Sequence, residues 1–173
     1  MEPGSLDELR CERLILRRPC EADRADVLRM HQDPEVMATL GGVRSEAESD
    51  GILDRQIAHW AAHHFGYWIV REPETGRFAG RAGLRHMVVA GLAEVEVGYG
   101  FLSEFWGRGL ATEVASAIVG AAFDTIGIDE LVCFTATTNE RSQRVMEKVG
   151  FRYEKHFVYA DIEHRLYRLA AGL

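Results

Sequence analysis

The stretch FWGRGLATEVASAIVGAAF, Phe105 to Phe123, decides how the chain is read. Its back half carries apolar residues at Leu110, Val114, Ala117, Ile118 and Ala121, a stripe down one face of a 3.6-residue period. Its front half is unusual for a helix start. Gly107 and Gly109 flank Arg108, and no Ser, Thr, Asp or Asn stands immediately before the turn to cap it. The first-turn N–H groups therefore need another acceptor. An anion seated on the helix start is one answer. A tight turn made by the two glycines, with nothing bound, is the other.

Outward from this stretch, the chain alternates strand and helix signals. RLILRRP (Arg13 to Pro19) predicts a first strand, and EADRADVLRMHQD a helix closed by Asp33-Pro34. SEAESDGILDRQIAHWAAHH opens with Ser45-x-x-Glu48, a capping box, and predicts a second helix with Ile52, Leu53, Ile57 and Trp60 inward. YWIVRE and FAGRAGLRH flank PETGR, which has hairpin turn chemistry. AEVEVGYGFL is the third strand of that series and leads into the glycine turn. ELVCFTAT then reads as a buried strand, NERSQRVMEKVG as a short helix ended by Gly150, and FRYEKHFVY and EHRLYRLA as two final strands. The order β-αα-βββ-α-β-α-ββ is that of a mixed α/β domain. Its strand–helix–strand passage implies one parallel pairing in an otherwise antiparallel sheet.

At 173 residues the chain reads as a single domain over 1–173, with 1–10 expected as a flexible extension. Its acidic beginning lacks the apolar run of a secretory signal, and no apolar stretch approaches the ~20 residues that span a bilayer. Cys11, Cys20 and Cys133 are few and widely spaced, which fits a reducing cytoplasm better than a disulfide framework. A net charge of −7 argues against a nucleic-acid partner and is compatible with a cationic one.

Two nucleotide motifs fail on the quoted stretch. A Walker A loop needs Lys-Ser/Thr after its last glycine, where Leu110 stands. A dinucleotide fingerprint needs a third glycine, where Thr112 stands. FWGRGLATE instead resembles the acyl-CoA signature of the GNAT acetyltransferase superfamily, Gln/Arg-x-x-Gly-x-Gly/Ala, with Gly109 and Ala111 in the fixed places. Trp106 departs from the first position, as in the branch that resembles the ribosomal-protein alanine N-acetyltransferases. RLILRRPCEADRADVLRMHQDPEVM is similar to that branch's opening, EVGYGF to its fourth strand, and NERSQRVMEKVGF to its Asn-x-x-Ser helix closing in Lys-x-Gly-Phe. The resemblance runs in order over nearly the whole chain.

The resemblance implies a mostly antiparallel central sheet with helices on both faces and splayed fourth and fifth strands. It implies acetyl-CoA as co-substrate, with the pantetheine arm along Phe101, Leu102 and Ser103. The pyrophosphate would lie against Arg108, Gly109, Leu110, Ala111, Thr112 and Glu113, with Asn139 and Ser142 nearby. Backbone N–H groups around Val97, Gly98 and Tyr99 would face a developing oxyanion. Glu96, in the family's Glu-hydrophobic-Gly-Tyr position, is the expected proton acceptor or cation-attracting group. Glu94, two residues earlier, reads equally well as part of a solvated face. A tyrosine that many relatives use as general acid falls at Met146, so Ser142 is the polar alternative, and Asn139 is first of all the N-cap of its own helix. The implied activity is direct acetyl transfer to a primary amine, on a protein N-terminus or a small molecule. A non-catalytic acyl-CoA binder is the alternative that Met146 favours. The resemblance leaves a homodimer open.

Other polar and aromatic residues have plainer expectations. His59 and His63 are four apart on the second helix, but no third ligand is evident in sequence and they are expected as surface histidines without a metal. Trp60, Tyr67 and Trp68 read as core, and Cys133 as a packed small hydrophobe. Tyr159 and Tyr167 are placed on the last strands with no side assigned.

Overall fold

In the computed structural model, which describes residues 6–172, the elements follow in the order the sequence implies. The first are β1 (Glu8–Arg10), β2 (Ile15–Arg17), α1 (Arg24–Gln32), α2 (Pro34–Met37) and α3 (Glu46–His63). The hairpin series is β3 (Tyr67–Arg71), β4 (Phe78–Val89) and β5 (Leu92–Phe101). The chain continues as α4 (Leu110–Gly120), β6 (Glu130–Ala136), α5 (Glu140–Val149), β7 (Arg152–Tyr159) and β8 (Ile162–Ala170).

Three features depart from the sequence reading. Part of the expected N-terminal extension forms β1, which pairs antiparallel with β2 from Glu8↔Arg17 to Arg10↔Ile15. The first five residues of that extension lie outside the described residues. Pro34 does not merely close α1; Asp33 Oδ1 accepts from the N–H groups of Glu35 and Val36 and starts α2 with proline in its first turn. The helix of the quoted stretch ends its regular α geometry at Gly120 and continues as a π-helical turn over Ala121–Ile126, stopped by Gly127 at φ +80°.

The sheet has eight strands in the order β1-β2-β3-β4-β5-β6-β8-β7. Every pairing is antiparallel except β5 with β6. The β4–β5 ladder is continuous from Gly80↔Phe101 to Val89↔Leu92. The β5–β6 pair has a single register match, Glu96↔Val132, among the described residues. Beyond that point the two strands diverge, which is the expected splay.

Helices cover both faces, as side-chain alternation along β5 shows. A Cβ added at Gly100 would meet Met30 of α1 and Leu40, whereas neighbouring Tyr99 reaches Ser142 of α5. The capping box forms as read: Ser45 Oγ accepts from Glu48 N–H at 3.3 Å, and the Glu48 carboxylate accepts from Ser45 N–H at 2.8 Å. Trp60 and Trp68 are buried edge to face, 5.2 Å between centroids, and Leu53, Leu110, Val114 and Ile118 join the same core. Cys133 is buried among them. No described helix is long and apolar enough to cross a membrane.

A buried polar contact ties α1 to α3: His31 Nδ1 lies 2.8 Å from Ser49 Oγ, with both residues at most 1% exposed. Burial, with Arg81 and Arg44 nearby, pushes the imidazole down from 6.5 to about 4. The folded state therefore holds His31 neutral where the unfolded chain takes up a proton. The stability this gives is complete above 6.5 and is lost as pH falls through the interval down to about 4. Its full size is about 3 kcal/mol. Urea unfolding as a function of pH should show this loss in the wild type. His31→Gln, which cannot titrate, should flatten that part of the profile.

Candidate functional site

The glycine turn and the start of α4 form one wall. Gly109 is the N-cap at φ +75°, and no side chain caps the helix. An L-residue in this left-handed region costs roughly 1–2 kcal/mol, so glycine is required by the turn. The N–H groups of Leu110, Ala111 and Thr112 open the helix without a side-chain acceptor, at the positive end of its dipole. Arg108 lies over the Phe105 ring at 5.6 Å, and Arg141 of α5 over the Trp106 ring at 5.4 Å. Neither guanidinium is ion-paired among the described residues. The turn thus gathers backbone donors and two uncommitted cations.

Two side chains hold this turn in place. Trp106 donates its indole N–H to the Phe101 carbonyl at 2.8 Å, fastening the turn to the end of β5. That contact gives the residue at the signature's variable first position a definite role. Arg13, just before β2, donates to the Arg108 carbonyl at 2.8 Å and grips the Glu113 carboxylate at 2.7 Å through both Nε and Nη2. The Arg13 backbone N–H adds a bond to the same carboxylate at 2.8 Å. Glu113, expected against phosphate, therefore has its carboxylate engaged by Arg13. Sequence reasoning missed Arg13, because its partner is 100 residues away.

The opening between β5 and β6 forms the second wall. At the end of β5, Phe101 and Leu102 are buried and Ser103 is partly buried. The Phe101 carbonyl is taken by Trp106, and the Leu102 N–H donates to Ala79 O at 2.9 Å.

Glu96, Gly98 and Gly100 share one face of β5. Glu96 is 5% exposed and closely paired with Arg85, its cross-strand neighbour on β4. Burial lifts its carboxyl above the usual range, while Arg85, Arg81 and His164 oppose that lift. Gly98 is glycine because Tyr67 occupies the space: a Cβ there would lie 1.7 Å from the Tyr67 hydroxyl oxygen. Tyr67, expected as core, is thus only partly buried and brings its phenol over Gly98. The Arg81 guanidinium lies over the Tyr67 ring at 5.6 Å, with Nη1 buried and without a partner among the described residues. Glu94 is not on a solvated face; Arg168 binds both its oxygens, at 2.8 and 3.1 Å.

Ser142 and Tyr99 meet on the opposite face. The Tyr99 hydroxyl lies 3.0 Å from Ser142 Oγ and 3.2 Å from the Ser142 carbonyl, to which it can only donate. Burial pushes the phenol well above its ordinary value, so it keeps its proton. Asn139 caps α5 as expected: its Oδ1 accepts from Ser142 N–H at 3.2 Å, and its Nδ2 donates to Thr135 Oγ1 at 3.0 Å. Met146 is 1% exposed in the core. Tyr167 is buried too, whereas Tyr159 is exposed beside Phe134 and His164. The side chain of Tyr99 was legible only as part of the Glu-hydrophobic-Gly-Tyr string, and its contact with Ser142 was not.

With this geometry in view, comparison with known proteins is direct. Residues 13–152 match the model of the acetyltransferase (GNAT) domain family. The chain is 26% identical over 148 residues to the uncharacterized N-acetyltransferase YoaA of Bacillus subtilis, covering 84% of this chain and 83% of that protein. It superposes on an acetyltransferase from Agrobacterium tumefaciens with a TM-score of 0.84 and 28% identity, over 95% of both chains. The ribosomal-protein-S5-alanine acetyltransferase from Vibrio fischeri shares the fold, with a TM-score of 0.79 and 18% identity over 95% of this chain and 97% of that one.

The Arg13 clamp has a measurable consequence. Arg13 is 46% exposed and Glu113 15%, so solvent weakens the pair, and Arg13→Ala should cost about 1 kcal/mol in urea unfolding. Arg13→Lys should recover less than half, because an ammonium cannot reproduce the fork that spans Glu113 and the Arg108 carbonyl. An unchanged unfolding midpoint in Arg13→Ala would mean that the turn holds its own shape.

Proposed function

The chain belongs to the GNAT acetyltransferases, and from that premise we propose that it transfers the acetyl group of acetyl-CoA to a primary amine by direct attack within a ternary complex. The observation that carries this reading is the uncapped start of α4 beside the single-match β5–β6 opening. The donor set fits the ligand. Backbone N–H groups at Leu110 to Thr112, with Arg108 and Arg141, suit a pyrophosphate. Phe101, Leu102 and Ser103 line the path toward the opening.

Acetyl-CoA, when bound, supplies an activated thioester carbonyl. The protein's own groups then divide by face. Glu96 stands on one face of β5, where it attracts an ammonium and accepts its proton directly or through water. Its lifted pKa makes it a stronger base than an ordinary carboxylate. N–H groups around Val97 to Tyr99 support the developing oxyanion. Ser142 stands on the other face and donates toward the departing thiolate, with Tyr99 orienting it. As the new C–N bond forms and the C–S bond breaks at the thioester carbon, Glu96 would take the proton lost by nitrogen and Ser142 would supply one to the leaving sulfur, regaining it from solvent.

Direct transfer, without an acyl-enzyme, is supported by the state of Cys133. It is 2% exposed, and burial raises its thiol well above the ordinary value, which makes it a poor nucleophile. The acceptor amine is a protein N-terminus or a small molecule. Met146, the one residue that favoured a non-catalytic binder, lies in the core, and the paired hydroxyls of Tyr99 and Ser142 are the polar groups that support the catalytic reading instead.

Steady-state kinetics with an amine panel test the assignment. Glu96→Gln should lower kcat by about 10²–10³. Ser142→Ala should lower it only about tenfold, because a thiol of pKa about 8.5 already leaves as thiolate. Coenzyme A affinity should stay within about threefold in both variants, the pattern of lost transition-state contacts. The acid limb of the wild-type pH–kcat profile should lie above the ordinary carboxylate value, because Glu96 must be deprotonated to act. That limb should vanish in Glu96→Gln. Unaltered turnover in Glu96→Gln would remove Glu96 from the mechanism.

A further inference from the structure

The C-terminal end of α3 meets β4 where β3 has not yet begun. The first β3 residue, Tyr67, pairs with Gly83, so β4 from Leu84 onward has no β3 partner. Leu84 N–H donates instead to Gly66 O at 3.1 Å, and His86 N–H to His59 Nε2 at 3.3 Å. This junction brings His86 against His59 and His63, which lie one helical turn apart. Ring centroids are 4.5 Å apart for His59 and His63, 4.6 Å for His63 and His86, and 5.6 Å for His59 and His86. One ring nitrogen from each lies within 4.8 Å of the others. The third ligand absent from the local sequence pattern is therefore supplied by the sheet.

The surroundings of the cluster suit metal ligation. His59 Nδ1 lies 2.9 Å from the Phe65 carbonyl, which only accepts, so Nδ1 carries the hydrogen and the Nε2 lone pair accepts the long 3.3 Å bond from His86 N–H, which a metal ion would replace. Metal-bound imidazoles are commonly oriented by such a backbone bond. Burial lowers the pKa of His59 and His86, and the neighbouring imidazoles lower both further. Among the described residues no carboxylate pairs with any of the three. The Phe65 ring packs against His59 and His86 at 5.4 and 5.3 Å and shields one side. Three imidazoles held together without an anion among the described residues gather ring nitrogens that a hydrogen-bond donor or a cation can use.

We infer that His59, His63 and His86 form a binding site for a divalent transition-metal ion, with Zn²⁺ the best fit, leaving a fourth position for water. A tetrahedral ion with bonds of about 2.0–2.1 Å needs its nitrogens about 3.3 Å apart. The rings of His63 and His86 are exposed and free to close that gap by rotation. The bound ion would join the end of α3 to the part of β4 that lies beyond its pairing with β3. The inference uses none of the coenzyme A wall and stands or falls separately from acetyl transfer.

The test is calorimetric titration of the chelator-treated full chain with ZnCl₂ in a non-coordinating buffer, paired with thermal melts. One ion should bind per chain and raise Tm. His63→Ala and His86→Ala should each weaken binding by about tenfold or more, and the Tm rise should shrink with it. His156→Ala, on exposed β7, should bind like the wild type. Circular dichroism identifies variants that keep the fold, and loss of the ligand in either of two exposed positions gives two independent readings. Absence of saturable binding would overturn the inference. So would undiminished binding in folded His63→Ala and His86→Ala, which would place the ion on other groups such as the cysteines.

Discussion

The structure turns on one interruption in backbone pairing. β5 is fully paired with β4, yet among the described residues its one register match with β6 is Glu96↔Val132. Strand backbone that loses its neighbour must find other partners or remain wet, because an unpaired buried amide costs about as much as a lost hydrogen bond. The protein does not close this gap with another strand. It places α4 and α5 beside the gap and leaves an opening whose edge carries N–H donors. Beside it, Glu96 lies on one face of β5 while Tyr99 meets Ser142 on the other.

The surrounding interactions hold that opening at fixed dimensions. Trp106 fastens the glycine turn to β5, Arg13 fastens it to the start of the chain, and Asn139 fixes the first turn of α5 beneath Ser142. None of these contacts lies deep in the core, and each is worth only about 1 kcal/mol or so. Their common effect is positional, holding the glycine turn and the first turn of α5 in fixed places relative to β5. The buried charge pair of Glu96 and Arg85 belongs to the same frame. Removing either partner would leave the other uncompensated in a poorly solvated place, so the pair constrains β4 against β5 at the opening.

Much of the fold was legible because its signals are local. Ser45-x-x-Glu48, Asn139 and Gly150 mark helix ends that the structure reproduces, and the glycine pair around Arg108 announced an uncapped helix start. β1 was not legible, since three residues carry no measurable periodicity and Glu8–Arg10 gains its strand only by pairing with β2. The site was legible in part. Glu96 and Ser142 could be placed through a family resemblance, but their actual neighbours arise from tertiary structure. Arg85 stands across a ladder, Tyr67 lies over Gly98 from another strand, and Arg13 grips Glu113 of α4, 100 residues later in the chain. His86 joins two helical histidines from a strand, 27 residues after the first of them. Sequence spacing along one element cannot announce such meetings.

The most direct test of the account is calorimetric titration of the purified chain with acetyl-CoA, beside Gly109→Ala and Gly109→Glu. Both substitutions carry the same backbone strain at φ +75°, and only the second puts a carboxylate where the pyrophosphate should sit. The account predicts saturable one-to-one binding by the wild type. It predicts a moderate loss in Gly109→Ala and at least about a hundredfold further loss in folded Gly109→Glu, equivalent to about 2.7 kcal/mol. Failure of the folded wild type to bind, or equal binding by the two variants, would contradict the assignment of the α4 start to the coenzyme.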